Sequence, residues 1–187
     1  MQALGLCHAA HAQLLIVDVQ ERLAGAMDAT AREGVVRAAG RLAQAAGQLE
    51  IPVLVSEQYP KGLGPTVAPL AAQLPASARV LDKTSFSCCG DSGLLDALKS
   101  ARRPQVVVCG METHVCVLQT ALDLLGAGFT PFVAEDAVCS RDPAHKANAL
   151  HRLRQAGAVV TNHESVIFEW LRDARHSQFK ALSGLIK

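Results

Sequence analysis

Short apolar runs alternate along this chain with longer segments in which apolar residues return every three or four positions. The runs occupy residues 14–19, 51–56, 79–81, 105–110, 131–134 and 158–161, and most are rich in valine, isoleucine and leucine. Runs this short, bounded by polar or turn-forming residues, predict strands buried on both faces. The periodic segments at 29–49, 92–100, 113–126 and 144–156 are rich in Ala, Leu, Gln and Arg and predict helices with one apolar face. Strand and helix alternate throughout, which predicts an α/β fold: a mainly parallel six-stranded sheet, covered by helices on both faces through right-handed crossovers. In such a sheet, ligands belong at the carboxyl ends of the strands.

The punctuation fits this reading. Gly126 and Gly128 follow the last periodic residues of one helix, and Gly157 those of the next, as C-terminal caps do. Residues 58–65 read Gln-Tyr-Pro-Lys-Gly-Leu-Gly-Pro, too rich in proline and glycine for a helix or a central strand. They are expected to form a loop after the second strand, placed to line a pocket. No repeat or linker divides the chain, so residues 1–187 are expected to form one domain.

Composition narrows the partners. Half of the 187 residues are apolar, enough for a core that needs neither disulfides nor a structural metal. Eighteen basic and seventeen acidic side chains leave a formal net charge of +1, with no block of one sign. A small-molecule substrate is therefore expected, and neither nucleic acid nor membrane. The apolar runs are far too short to cross a bilayer and the first residues lack a signal peptide's basic stretch, which points to the cytoplasm. There the six cysteines are expected as free thiols. No C-x-x-C occurs, and His114-x-Cys116 has no companion pair at zinc-site spacing, so no metal or other cofactor is expected.

Candidate chemistry lies at three predicted strand ends. Asp18 follows four apolar residues, where a carboxylate needs a partner; taken alone, it also reads as a helix cap. Lys83 follows the third strand, and by itself a lysine there is usually a solvated surface residue. Cys116 comes after Gly110, which permits a turn out of the fourth strand, and after Thr113, which is suited to cap the helix carrying Leu118, Ala121, Leu122 and Leu125. That places Cys116 in a first helical turn, where unpaired amides and the positive end of the dipole favour thiolate and offer donors to an oxyanion. A buried cysteine packing as a small hydrophobe is the plain alternative. With strands one, three and four as close neighbours the three ends converge: Asp18 accepts the thiol proton, Lys83 keeps Asp18 ionised, and Cys116 attacks a carbonyl carbon.

With these residues in view, the chain resembles the isochorismatase-like hydrolases, and within them the branch of isochorismatase domain-containing proteins. The resemblance is carried by Asp18-x-Gln20, the stretch from Glu57 to Gly64, Lys83-Thr84-Ser85-Phe86-Ser87, and Gly110-x-Glu112-Thr113-His114-x-Cys116-Val117-x-Gln119-Thr120; it runs from Leu14 to Trp170. It implies a Rossmann-like three-layer α-β-α sandwich and an Asp18, Lys83, Cys116 triad. It further implies a cis peptide between Met111 and Glu112 that turns the Glu112 amide toward the Cys116 amide as an oxyanion hole. The implied reaction is metal-independent cleavage of the C–N bond of a small amide through a Cys116 thioester, in a homo-oligomer. Two departures qualify the likeness. Nicotinamidases of this superfamily hold a metal with an Asp-x-His after the second strand, where this chain has Ser56-Glu57-Gln58. Isochorismatases proper lack the nucleophilic cysteine, so the family's name is no guide to the substrate.

Tyr59, Leu63 and Phe86 are candidates for an apolar pocket wall. His114, two positions before Cys116, points elsewhere on a helix and is expected to support the site without forming a dyad. Gln20 and Gln119 suit backbone groups as well as a substrate and are left outside the site. Cys88 and Cys89 read as buried filler, with a redox pair as the lesser reading. The apolar residues of 164–187 are expected to pack on the domain or on another subunit. A different class of function stays open: a weakly catalytic or non-catalytic small-molecule-binding or interaction protein on the same fold.

Overall fold

Parallel strands need long crossovers, and each crossover here carries at least one helix. The computed structural model describes residues 5–186, without the side chain of Ser92. Its strands are β1 (Ala12–Val17), β2 (Val53–Gln58), β3 (Arg79–Lys83), β4 (Gln105–Met111), β5 (Thr130–Cys139) and β6 (Val159–Thr161). They lie in the order β3-β2-β1-β4-β5-β6, and every neighbouring pair is parallel. This is the doubly wound order, in which winding reverses between β1 and β4 and opens a crevice at their carboxyl ends. The helices are α1 (Glu21–Gly25), α2 (Ala29–Gln48), α3 (Pro60–Leu63), α4 (Ala68–Ala71), α5 (Ser92–Ser100), α6 (Leu118–Gly126), α7 (Pro143–Ala156), α8 (His163–Leu171) and α9 (Phe179–Ile186).

Side chains alternate across the sheet and divide the core in two. Leu14 and Ile16 of β1, Val53 and Val55 of β2, and Val107 and Cys109 of β4 face α2, α8 and α9, with Leu42, Trp170 and Leu182 among the buried residues. Leu15, Val17, Leu54, Val106 and Val108 face α5, α6 and α7, with Leu98, Leu124 and Leu153. Both faces are apolar because both are covered, which is why the strands read as continuous apolar runs. Asp28, Asp142 and Asn162 accept from backbone amides and cap α2, α7 and α8. The C-terminal segment packs on the domain: Trp170, Leu171 and Leu182 are buried, and the Trp170 indole donates to Cys7 Sγ at 3.2 Å. Among the described residues no helix is long and apolar enough to cross a membrane.

Three local expectations are corrected. Residues 58–65 are not all loop: Gln58 ends β2, and Pro60–Leu63 forms one helical turn with proline in its first turn. Thr113 does not cap a continuous helix. Residues Thr113–Val117 form a π turn that precedes α6, and the buried Thr113 hydroxyl has no hydrogen-bond partner. Finally, β3 is not beside β1. The first crossover places β2 there, so β3 becomes the sheet edge, and contact between the ends of β1 and β3 depends on the length of the Lys83 side chain.

Candidate active site

The site forms where β1 and β4 end. Gly110 has φ of +122°, and a Cβ there would lie 2.0 Å from the Val17 carbonyl oxygen, so only glycine lets β4 run this close to β1. Asp18 follows with φ of +51°, in the left-handed region that aspartate tolerates better than most side chains, and it turns the chain out of the sheet. Its amide donates to the Ser56 carbonyl at 3.1 Å, so β2 holds the turn from the other side. The Met111–Glu112 peptide is cis.

Asp18 and Lys83 have fully buried side chains, and Asp18 Oδ2 lies 2.7 Å from Lys83 Nζ. The second carboxylate oxygen, Oδ1, accepts from Ser56 Oγ at 2.7 Å, and Ser56 Oγ accepts from Cys88 Sγ at 3.5 Å. Lys83 also donates to Gln58 Oε1 at 2.6 Å and to the carbonyls of Ser85 at 3.1 Å and Phe86 at 3.0 Å. These contacts offset the cost of taking an ammonium and a carboxylate out of water. Cys116 lies near enough for the charges of both Asp18 and Lys83 to act on its thiol. Side chains from three distant segments are therefore brought close together.

Charge state differs from the sequence expectation. Burial, reinforced by the negative charge of Asp18 and only partly opposed by Lys83, pushes the Cys116 thiol up to about 12. Helix-terminus charge contributes about 0.3–1 kcal/mol, too little to overcome that burial, and Cys116 lies in a π turn before the helix proper. The resting group is a thiol, not a thiolate. Burial also raises the Asp18 carboxyl above its ordinary value, against the pull of Lys83 and of the hydroxyl of Ser56. Burial puts Cys88 and Cys89 up to about 11 as well, so neither supplies thiolate at neutral pH for a redox pair.

A cavity of about 110 Å³ opens on Cys116. Leu23, Leu63, Phe86 and Val115 supply its apolar wall; Gln58 and Glu112 are the other polar residues. Of the three residues expected at a pocket wall, Leu63 and Phe86 line this cavity and Tyr59 does not. The Tyr59 ring is 56% exposed beside Lys61 and Asp91, and it is the Tyr59 amide that helps build the site, donating to the Lys83 carbonyl at 2.8 Å. A left-handed backbone at Tyr59, with φ of +38°, swings the ring outward. Glu112 is held by Arg141, which donates from its amide at 2.9 Å and from Nε at 3.1 Å. His114 bonds Ser140 Oγ through Nδ1 at 2.9 Å and packs against the His145 ring at a tilt of 44°, so it is engaged away from Cys116.

Ser56 and Gln58 escaped the sequence reading of the site, and Gln20 was weighed there but left outside it. Ser56 and Gln58 hold Asp18 and Lys83 directly. Gln20, fully buried, accepts from the Gln58 amide at 2.7 Å and donates to the carbonyls of Gln58 at 3.1 Å and Gly64 at 2.6 Å, tying β1, β2 and α3 together. The available signal was polar residues at the ends of otherwise apolar strands. Where nicotinamidases would hold a metal, Ser56 and Gln58 serve Asp18 and Lys83, and Glu57 accepts from Thr66. Among the described residues no three His, Cys, Asp or Glu side chains are grouped to hold a metal ion.

The doubly wound, all-parallel sheet flanked by helices is the α/β architecture of the isochorismatase-like proteins. The chain matches the isochorismatase domain over residues 12–165 and belongs to that family. Isochorismatase domain-containing protein 2 of Xenopus laevis is 41% identical over 152 residues, covering 81% of this chain and 73% of that protein. Among solved structures, a MAR1 ribonuclease from Caenorhabditis elegans is similar with a TM-score of 0.91 at 37% identity, covering 97% of this chain and 92% of its own. The YcaC gene product of Escherichia coli, described as an octameric hydrolase of unknown specificity, has a TM-score of 0.88 at 26% identity, covering 100% of this chain and 91% of its own.

Proposed function

We propose that this protein is a metal-independent cysteine hydrolase that cleaves the C–N bond of a small amide. The observation that carries the reading is the buried Asp18–Lys83 ion pair, 2.7 Å apart, whose charges act on the Cys116 thiol where that thiol opens on a cavity. Because the resting thiol is protonated, attack and proton transfer are coupled. As Cys116 Sγ bonds to the carbonyl carbon, its proton passes to Asp18. The negative charge moves to the carbonyl oxygen, to which we assign the Glu112 and Cys116 amides as donors. The C–N bond then breaks, the nitrogen leaves with the proton from Asp18, and a thioester remains. Asp18, ionised again, takes a proton from water as its oxygen attacks the thioester; the acid departs and the thiol is restored. Lys83 holds Asp18 in place and stabilises its charge between steps.

The hydrolase description of the E. coli neighbour supports the reaction class, and its octameric state supports a homo-oligomer here. The ribonuclease name belongs to the C. elegans protein. A nearly neutral chain with a cavity of about 110 Å³ favours a small molecule over a polyanion. The test is hydrolysis of a panel of small amides by the wild type and by Cys116→Ala. Turnover lost in the variant supports the reading. Turnover that survives in the variant removes Cys116 from the chemistry, and no turnover in either favours a binding protein on the same fold.

A further inference from the structure

We infer that the group accepted on the reacting carbonyl is short, apolar and uncharged, so that the substrates are small neutral amides and not amides bearing a carboxylate. This rests on the hydrolase reading and adds the substrate class to it. Size comes first. The cavity on Cys116 measures about 110 Å³. Pockets that enclose drug-sized ligands run to about 300–1,000 Å³. The wall comes second: Leu23 from α1, Leu63 from α3, Phe86 and Val115 present hydrocarbon, which suits an alkyl or vinyl group and gives no partner to a charged one.

Charge decides the matter. Among the described residues, none of those lining the cavity is cationic. The three N–H groups of Lys83 face four oxygens, on Asp18, Gln58, Ser85 and Phe86, so the ammonium has no donor to spare for a ligand. Both oxygens of Glu112 are taken up by Arg141, whose side chain is 62% exposed and lies outside the lining. A carboxylate entering here would lose its water and find no cation in the lining to replace it.

Two measurements on the full-length protein test this. In the first, Cys116 is alkylated by iodoacetamide or by iodoacetate; the sulfur displaces iodide, a C–S bond replaces the C–I bond, and the thiol proton leaves to Asp18 or solvent. The ratio of the two rates, divided by the same ratio for a free small thiol, is expected to exceed about 100. In the second, kcat/KM is measured for acetamide, propionamide, butyramide, hexanamide and the carboxylate-bearing succinamate. Butyramide should exceed succinamate by about 100-fold or more, activity should fall by hexanamide, and Phe86→Ala should move the optimum to longer chains. Iodoacetate reacting as fast as iodoacetamide, or succinamate matching butyramide, overturns the inference. If no amide turns over while the alkylation preference holds, the hydrolase reading falls and the ligand class stands. If amides turn over with succinamate in the lead, the reading stands and the inference falls.

Discussion

The two edges of the sheet both bury polar side chains, but they bury different kinds. At the amino edge, Gln13 donates to the carbonyls of Leu98 at 3.0 Å and Arg103 at 2.7 Å. Gln105 accepts from the His8 amide at 2.7 Å and donates to the Leu6 carbonyl at 2.9 Å, while Arg103 donates to the Ala9 carbonyl at 2.8 Å. Those side chains close the ends of strands by satisfying backbone groups. At the carboxyl edge, a buried aspartate, lysine and cysteine satisfy one another. An ion pair inside a protein is the costlier arrangement and contributes little net stability compared with well-packed apolar groups, so its placement beside the cysteine points to chemistry. Cavity size would mislead. A cleft of about 720 Å³ lies at the amino edge, lined by Gln13, Pro52 and Arg79 among others, and another of about 770 Å³ lies against α1, α2 and α4, yet Cys116, the proposed nucleophile, opens on one of about 110 Å³.

The comparison can be broken or sharpened by substitution. The largest effect expected is from Cys116→Ala, which should lower kcat/KM for a small amide by about 10⁴-fold or more while the thermal melt stays close to wild type. Asp18→Asn should lower kcat/KM by about 10²–10⁴-fold. It should also bring the Cys116 thiol midpoint below about 12, because the neighbouring negative charge is gone; thiolate absorbance against pH reads this, and an unmoved midpoint would contradict the electrostatic account. Lys83→Met leaves Asp18 buried without its cation and should cost about 3–5 kcal/mol in urea unfolding. Across the sheet, Gln13→Leu orphans two backbone carbonyls and should cost about 1–3 kcal/mol with kcat/KM unchanged. A kinetic effect there would dissolve the distinction between the edges.

The smallest effect concerns pH. Burial raises Asp18 above 3.8 in the folded protein, so the folded state holds this proton more tightly than the unfolded one. The contribution of this group to stability therefore falls as pH rises from 3.8 through the folded midpoint, the reverse of an exposed, salt-bridged aspartate. The same shift places the acid limb of kcat/KM above 3.8, and Asp18→Asn should remove this part of the pH dependence of stability. A limb at or below 3.8 would mean that the pull of Lys83 outweighs burial.

The legible parts were those with a local cause. Apolar runs marked the inner strands β1, β2, β4 and β5 because both of their faces are covered; the edge strands β3 and β6, only partly buried, were marked by shorter runs, and Gly110 marked the close approach of β4 to β1. The failures were cases where a distant partner decided. Proline and glycine in residues 58–65 concealed a helical turn, and Thr113 looked like a cap because serine and threonine usually are. Gln20 was left between a backbone and a substrate role because its partners, Gln58 and Gly64, lie far along the chain.

By itself, then, the order of residues determined the alternation of strands and helices, a mainly parallel sheet covered on both faces, and three candidate side chains at strand ends, because periodicity and turn chemistry act over a few neighbouring positions. Only the tertiary structure decided that β2 separates β1 from β3, that Lys83 nevertheless reaches Asp18, that Cys116 rests as a thiol, and that Tyr59 turns away from the cavity. Burial and Coulomb energy depend on distances through space, and those distances exist only once the chain has folded.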